Sequence, residues 1–264
     1  MNDPVQSLWI GSTLSNLERL SIQSFLDHGH QYHLYAYREL ADLPAGAILK
    51  DANEILSASL IFQYNDRKTY AAFSNVFRYK LLLERGGIWA DTDVVGLRPF
   101  DLADEHVFAS ELVQRRDGAG FDVIVSTCVI KAPIGSPVMA RALEAGLSKD
   151  WSTVRWGELG PRLFAPVVAG QGLQCFVQPP AVFCSIGPLE WRRLIDPQPP
   201  PLPSEAYALH FWNEMWRRAG QDKGAEYPSS CLYESLKRRH LPGTDKGIGA
   251  GAGHGVGLRD GILG

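Results

Sequence analysis

Between Ser7 and Ala90, short apolar runs alternate with helix-spaced segments, and this alternation restricts the fold more than any other feature of the chain. Ser7-Leu8-Trp9-Ile10-Gly11 reads as a buried strand closed by glycine. From Ser15 to Asp27 the apolar positions Leu17, Leu20, Ile22, Phe25 and Leu26 follow a helical spacing; Ser15 or Asn16 can cap its start and Gly29 can stop it. Tyr32 to Tyr37 is an aromatic-rich second strand. The strongest helix runs from Lys68 to Arg85, with Tyr70, Phe73, Phe77 and Leu81 in one apolar row. Gly86-Gly87 ends it, and Ile88-Trp89-Ala90 is the next short strand. Strand–helix–strand order of this kind builds right-handed βαβ units. The expected fold is therefore α/β, with a mixed, mainly parallel sheet flanked by helices.

The rest of the chain fits the same class. Val94 to Leu97 reads as extended, Asp122 to Lys131 as a strand, and Pro133 to Leu147 as a turn followed by a helix. A helix is expected over Leu159 to Val168, with Pro161 tolerated in its first turn. Cys175-Phe176-Val177 and Val182-Phe183-Cys184 read as short strands, and Pro197 to Pro203 as a loop. Tyr207 to His210 reads as a strand, followed by a tryptophan-rich helix and an amphipathic helix from Tyr233 to His240. One domain is expected over residues 5–241. Residues 242–264 are expected to be a disordered tail, since Gly243 to Gly264 holds 9 of the 26 glycines and few apolar anchors.

Charge narrows the partners. The 26 basic and 29 acidic side chains leave a net charge of −3, which supplies no basic stripe for nucleic acid. No apolar run approaches the roughly 18 residues that span a bilayer. Met1-Asn2-Asp3-Pro4 lacks the basic and apolar character of a signal peptide, so a cytoplasmic location is expected, with the inner face of the membrane as a variant of it. Leu236-Lys-Arg-Arg-His240 suits either peripheral membrane contact or a solvated helix face. Cys128, Cys175, Cys184 and Cys231 are scattered without a CxxC pair and are expected to be free thiols in a reducing compartment.

The chemistry concentrates in Ser74-Asn75-x-x-Arg78 and Gly86-Gly87-Ile88-Trp89-Ala90-Asp91-Thr92-Asp93. Residues two apart on a strand point the same way, so Asp91 and Asp93 can both face a ligand beyond the strand's carboxyl end, where α/β sheets bind ligands. Two carboxylates with no basic residue between them repel unless a cation separates them. A hard divalent ion, Mn²⁺ or Mg²⁺, suits such oxygen ligands and keeps coordination positions open for phosphates. Gly86-Gly87 would let the backbone pass close to that ligand. Ser74, Asn75 and Arg78 share an arc of roughly 100° on the preceding helix, a polar patch on an otherwise apolar element. Taken alone, an Asp-x-Asp is more often a solvated turn, and an arginine beside two carboxylates can simply pair with them.

This block resembles the signature of the DXD-containing sugar transferases of GT-A fold, which is Rossmann-like. Within them it resembles the capsular-polysaccharide and α-1,4-galactosyltransferase-like family, of glycosyltransferase family 32 type, which shares motifs with the large clostridial glucosylating toxins. Leu8-Trp9-Ile10-Gly11 is similar to the first strand of these proteins, and His210-Phe211-Trp212 resembles their late His/Trp motif; the resemblance runs from residue 7 to about residue 216. Many relatives carry Asp where this chain has Asn75, which keeps hydrogen bonding but loses charge.

The resemblance implies a metal-dependent glycosyltransferase that moves a hexose from a nucleotide sugar, UDP-linked, to a glycan, glycolipid or lipid-linked acceptor with retention of configuration. It implies donor contacts from Trp9, Ile10, Gly11, Ser74, Asn75, Arg78, Trp89, Asp91 and Thr92. Trp9 would lie by the uracil and Trp89 by the nucleotide. Asp91, Asp93 and His210 would hold Mn²⁺ or Mg²⁺, and Arg78, Asp91 and Asp93 would carry catalysis. His210 has a plainer alternative, a strand-end histidine bonded to a backbone carbonyl. Gly160 and Pro161 resemble a Gly-Pro element near the sugar site. Trp212 and Trp216, four apart, would either floor a sugar pocket or sit in the core. An inverting enzyme would need a carboxylate base, and spacing favours none of Glu111, Asp122 and Glu158. Two rival classes remain: a non-catalytic nucleotide-sugar or carbohydrate binder, and a haloacid-dehalogenase-type phosphatase, whose DxDxV motif Asp91 to Val95 imitates.

Overall fold

The computed structural model describes residues 3–64, 67–115 and 117–242. The glycine-rich segment 243–264 lies outside the described residues. The strands are Val5–Trp9 (β1), Tyr32–Ala36 (β2), Ile48–Asp51 (β3), Gly87–Ala90 (β4), Val94–Gly96 (β5), Val107–Gln114 (β6), Phe121–Ala132 (β7) and Ala208–His210 (β8). The helices are Asn16–Asp27 (α1), Ala71–Arg85 (α2), Pro137–Leu147 (α3), Pro161–Gly170 (α4), Pro180–Phe183 (α5), Asn213–Arg218 (α6) and Leu232–His240 (α7).

Six strands form one sheet in the order β3-β2-β1-β4-β7-β6. The first four run parallel, and β7 and β6 add an antiparallel edge. This is the mixed, mainly parallel α/β sheet that the alternation of elements predicts. From β1 the chain winds outward through β2 and β3, then returns to place β4 on the other side of β1. That reversal is a topological switch point at the carboxyl ends of β1 and β4, the place where open α/β sheets bind ligands. Trp9 ends β1 and Asp91 follows β4 at this end of the sheet.

Local chemistry explains why these elements form. Ser15 and Glu18 make a reciprocal capping box at the start of α1. The apolar side of α1 packs on one face of the sheet with Leu17, Leu20 and Phe25 fully buried. The apolar row of α2 (Phe73, Phe77, Leu81) packs on the other face, where α3 and α4 cover it. Gly86 and Gly87 both take positive φ, 62° and 89°, and a Cβ on Gly86 would come within 2.7 Å of the Ile134 nitrogen. These glycines turn the chain into β4 at its amino end, away from Asp91. Their role is in the turn and its packing, not in approach to a ligand.

Other expectations shift in detail. β1 starts and ends two residues earlier than Ser7 to Gly11, which leaves Ile10 and Gly11 in the loop beyond it. Cys175 lies in a 3₁₀ turn, and Val182-Phe183 lies in α5, where the sequence suggests strands. Pro180 sits at the first helical position of α5, where its missing N–H costs nothing and its fixed φ favours the helix. Leu236 is 7% exposed on the buried side of α7, so the membrane-facing reading of this helix loses its apolar anchor. No helix among the described residues is long and apolar enough to cross a membrane.

Candidate functional site

The end of β4 places Asp91 against β7, with its backbone N–H donating to the Cys128 carbonyl at 2.8 Å. The Val94 N–H then donates back to the Asp91 carbonyl at 2.9 Å, closing a tight turn over Asp91-Thr92-Asp93. β5 leaves this turn and pairs antiparallel with β8, setting Val94 opposite His210. The Phe211 N–H bonds the Asp93 carbonyl at 2.8 Å. Two short strands, more than a hundred residues apart in sequence, thus bring His210 beside the carboxylates. One ligand atom from each of Asp91, Asp93 and His210 falls within 4.8 Å of the others.

The two carboxylates are held differently. Asp93 is buried, and its Oδ2 accepts from the Asn213 N–H at 2.6 Å and lies 3.4 Å from His210 Nε2. Burial alone would raise its pKa; the His210 ring and the Asn213 N–H reverse that and hold it below the ordinary value. Asp91 is the more open, with its side chain 26% exposed. Its Oδ1 receives the Trp89 indole N–H at 2.9 Å and the Arg78 guanidinium at 3.0 Å. Burial nevertheless pushes its pKa up to about 6, against the pull of Arg78 and with repulsion from Asp93 adding to the rise. Burial also works against charge on His210, yet Asp93 and Cys128 raise its pKa well above the usual imidazole range.

Arg78 is locked in place. It is 4% exposed, its guanidinium donates to Ser74 Oγ at 3.0 Å and to the Thr127 carbonyl, and it lies 4.6 Å from the Trp89 ring centroid. Asn75, three residues earlier on α2, accepts from Thr127 Oγ1 at 3.1 Å. Gly160 presses on the other side of Asn75: a Cβ there would fall 2.9 Å from Asn75 Nδ2. Pro161 follows as the first residue of α4. The polar patch of α2, the Gly-Pro element and Asp91 are therefore one connected arrangement. At the end of β1, Trp9 Nε1 donates to the Thr13 carbonyl at 3.1 Å, and Trp9, Ile10, Gly11 and Thr92 are all partly exposed.

Two tryptophans have other duties. Trp89 is 1% exposed, so its face does not reach the surface; it carries the Arg78 guanidinium on its ring and orients Asp91 through its N–H. Trp216 is fully buried among Trp191, Tyr227 and Tyr233 and donates to the Phe211 carbonyl at 2.8 Å, which places it in the core. Trp212 lies against the His210 ring, with centroids 3.9 Å apart, in a left-handed conformation at φ 57°. A bulky residue rarely adopts that conformation, and here the twist aims the Asn213 N–H at Asp93.

Sequence reasoning missed Asn213, Thr127 and the thiols of Cys128 and Cys184 beside His210, because only the fold brings them together. It named Glu111 without ranking it. Asp122 pairs with Arg115 on the surface and Glu158 accepts from the Arg155 N–H, whereas burial pushes Glu111 up to about 7, with Cys128 and Asp91 adding repulsion. Ser126 Oγ donates to Glu111 at 2.9 Å. An acid whose folded-state pKa is raised from 4.5 to about 7 loses stability for the protein as pH climbs between those values, because the unfolded chain ionises first. Glu111→Gln is expected to match the wild type below pH 4.5 and to melt at a higher temperature above pH 7. Melting curves across that range check it.

Two carboxylates and an imidazole with ligand atoms this close could hold a cation, and the chain is similar to the following known proteins. Residues 15–111 match a family described as "Glycosyltransferase sugar-binding region containing DXD motif". They contain Ser74, Asn75, Arg78, Trp89, Asp91 and Asp93. The chain is 25% identical over 186 residues to a human protein named alpha-1,4-N-acetylglucosaminyltransferase, covering 65% of this chain and 50% of that protein. It therefore spans about half the length of that relative. Among solved structures it is similar to the PaToxG glycosyltransferase, at 13% identity and a TM-score of 0.49 over 90% of this chain and 87% of the other. It is also similar to the WbbM bifunctional glycosyltransferase, at 10% identity and a TM-score of 0.44 over 91% and 52%.

Proposed function

We propose that this protein is a metal-dependent glycosyltransferase of GT-A type that moves a hexose from a UDP-sugar to a glycan or glycolipid acceptor with retention of configuration. The observation that carries this reading is the convergence of Asp91, Asp93 and His210 within 4.8 Å at the sheet's switch point, with the buried Arg78 bound to Asp91. The donor set, two carboxylates and an imidazole, fits a borderline-hard divalent ion such as Mn²⁺, and Mg²⁺ less closely because of the nitrogen ligand. Such an ion supplies Lewis-acid stabilisation of the departing diphosphate when bound.

The chain's own residues do the rest. Arg78, held by Ser74 and the Thr127 carbonyl, offers a fixed positive charge where negative charge develops on the diphosphate. Asp91 Oδ1 is engaged by Arg78 and Trp89, which would leave Oδ2 to the ion. Asn75, positioned by Thr127 and Gly160, offers its amide to the donor sugar. Trp9 lies by the nucleotide base. In transfer with retention, the bond from the anomeric carbon to the phosphate oxygen breaks, the bond to the acceptor oxygen forms, and the acceptor's proton passes to the departing phosphate oxygen.

UDP release from a panel of UDP-hexoses, assayed with metal, tests this. Release is expected to require a divalent ion, to stop on chelation and to return with Mn²⁺. Phosphate release in place of UDP, or binding without turnover for every donor, would overturn the reading.

A further inference from the structure

Directly behind the carboxylates, His210 turns its second nitrogen towards two thiols. Cys184 Sγ lies 3.9 Å from His210 Nδ1, and Cys128 Sγ lies 3.6 Å from Cys184 Sγ. One ligand atom from each of the three residues falls within 4.8 Å of the others, and all three side chains are buried. Cys128 comes from β7, Cys184 follows α5 and His210 ends β8, so three separate parts of the chain converge on this point.

The spacing matches a tetrahedral thiophilic ion. With metal–sulfur bonds of about 2.3 Å and metal–nitrogen bonds of about 2.0–2.1 Å, tetrahedral geometry puts two sulfurs about 3.8 Å apart and a sulfur and a nitrogen about 3.6 Å apart. The observed 3.6 Å and 3.9 Å differ from these by a few tenths of an ångström, within reach of side-chain rotation. Charge agrees as well. Two thiolates neutralise a divalent ion, and a neutral assembly suits a pocket where the cysteines are 1% and 2% exposed. The environment beyond the ligands also fits. A histidine that ligates through one ring nitrogen generally bonds a carboxylate through the other, and His210 Nε2 faces Asp93 Oδ2 at 3.4 Å.

We propose that Cys128, Cys184 and His210 form a second metal site, selective for Zn²⁺ or a similar soft divalent ion, which shares the His210 ring with the hard-ion site: while Nδ1 ligates the soft ion and Nε2–H bonds Asp93, the hard ion is left to Asp91 and Asp93. On binding, both thiols release their protons, His210 ligates through Nδ1, and Asp93 holds the ring from the far side. The site orders β7, β8 and the segment after α5 around His210. It does not depend on the transferase reading, because the ligands and the fit to the ion are independent of the reaction.

The test uses the full chain, stripped of metal and kept reduced, titrated with Co²⁺ as a spectroscopic stand-in for Zn²⁺. One equivalent is expected to bind with a thiolate-to-cobalt charge-transfer band that Zn²⁺ abolishes. Cys128→Ser and Cys184→Ser should remove the band. Asp91→Asn should keep it, as should Cys175→Ser, which alters an exposed cysteine. Zinc K-edge absorption on the unaltered protein should count two sulfurs, a reading that needs no variant to fold. An all-oxygen-and-nitrogen shell, no charge-transfer band in the folded protein, or a Cys128–Cys184 disulfide that excludes metal would each overturn the proposal. Failure of UDP release leaves these outcomes unchanged, so the two readings fail separately.

Discussion

Replacing Asp93 with asparagine is expected to lower the rate of UDP release by about 10²–10³-fold in a protein that stays folded, the size of effect that follows loss of one preorganised charge in an active site. Asparagine keeps an oxygen for the Asn213 N–H, so the turn that joins the end of β8 to α6 keeps its anchor. What disappears is the negative charge facing His210 and, in the proposed function, the cation. Asp93→Ala goes further, since it also leaves the Asn213 N–H and the buried His210 ring without their partner. Both variants should need far more Mn²⁺ for half-maximal rate, and that separates loss of metal from loss of fold. Circular dichroism alongside a metal titration reads both. If Asp93→Ala turned over at the wild-type rate with unchanged metal demand, the metal assignment would be wrong.

The parts of this fold that could be read from residue order are those fixed by neighbours. Ser15 and Glu18 are three apart and cap α1 whatever lies around them, and the Phe73, Phe77, Leu81 row demands one buried helix side. Asp91 and Asp93 fall on one side of a strand end by simple alternation. The less legible parts depend on partners distant in the chain. β3 carries Lys50 and Asp51 on an exposed edge, without the apolar alternation that marks a strand. β6 gains its identity from pairing with β7. Cys175-Phe176 and Val182-Phe183 have strand-like composition but fold into a 3₁₀ turn and α5, with Pro180 opening α5, while Val177 stays extended and bridges to Phe108. The same division runs through the site. Its acidic and arginine residues lie within sixteen positions and announce themselves, whereas Thr127, Cys128, Cys184 and Asn213 join them only once β7 and β8 are in place.

His210 shows why that long-range part matters to chemistry. Its backbone position is set by antiparallel pairing with β5, the strand that follows the Asp-Thr-Asp turn directly. A shift of one residue in this pairing would send the imidazole to the opposite face. The β5–β8 ribbon is therefore a register device: it fixes His210 relative to Asp91 and Asp93 without needing a long element. The left-handed Trp212 then bends the chain so that the next N–H returns to Asp93.

Arg78→Ala is expected to combine the second large loss of activity with a stability defect that depends on pH. The guanidinium is 4% exposed and serves Asp91, Ser74, the Thr127 carbonyl and the Trp89 face at once. Removing one member of a buried ion pair costs about 3–5 kcal/mol, and the lower end applies here because Asp91 is 26% exposed. The sign of the pH effect follows from Asp91. Its folded-state pKa, about 6 with Arg78 present, lies above the ordinary 3.8, and losing the arginine raises it further. Below pH 3.8 the carboxyl is protonated in folded and unfolded chains alike, so the charge-dependent part of the defect vanishes. Above pH 6 the wild type carries a paired carboxylate while the variant must bury an unpaired one or hold a proton, so the defect grows as pH rises. Arg78→Lys restores a charge but cannot span the four partners, and it should recover part of the stability and little of the rate. Arg78→Ala/Asp91→Asn removes both charges; it should melt closer to the wild type at pH 8 than Arg78→Ala alone and remain inactive. A double variant no more stable than Arg78→Ala at that pH would show that Arg78 supports the fold through Ser74, Thr127 and Trp89 rather than by neutralising Asp91.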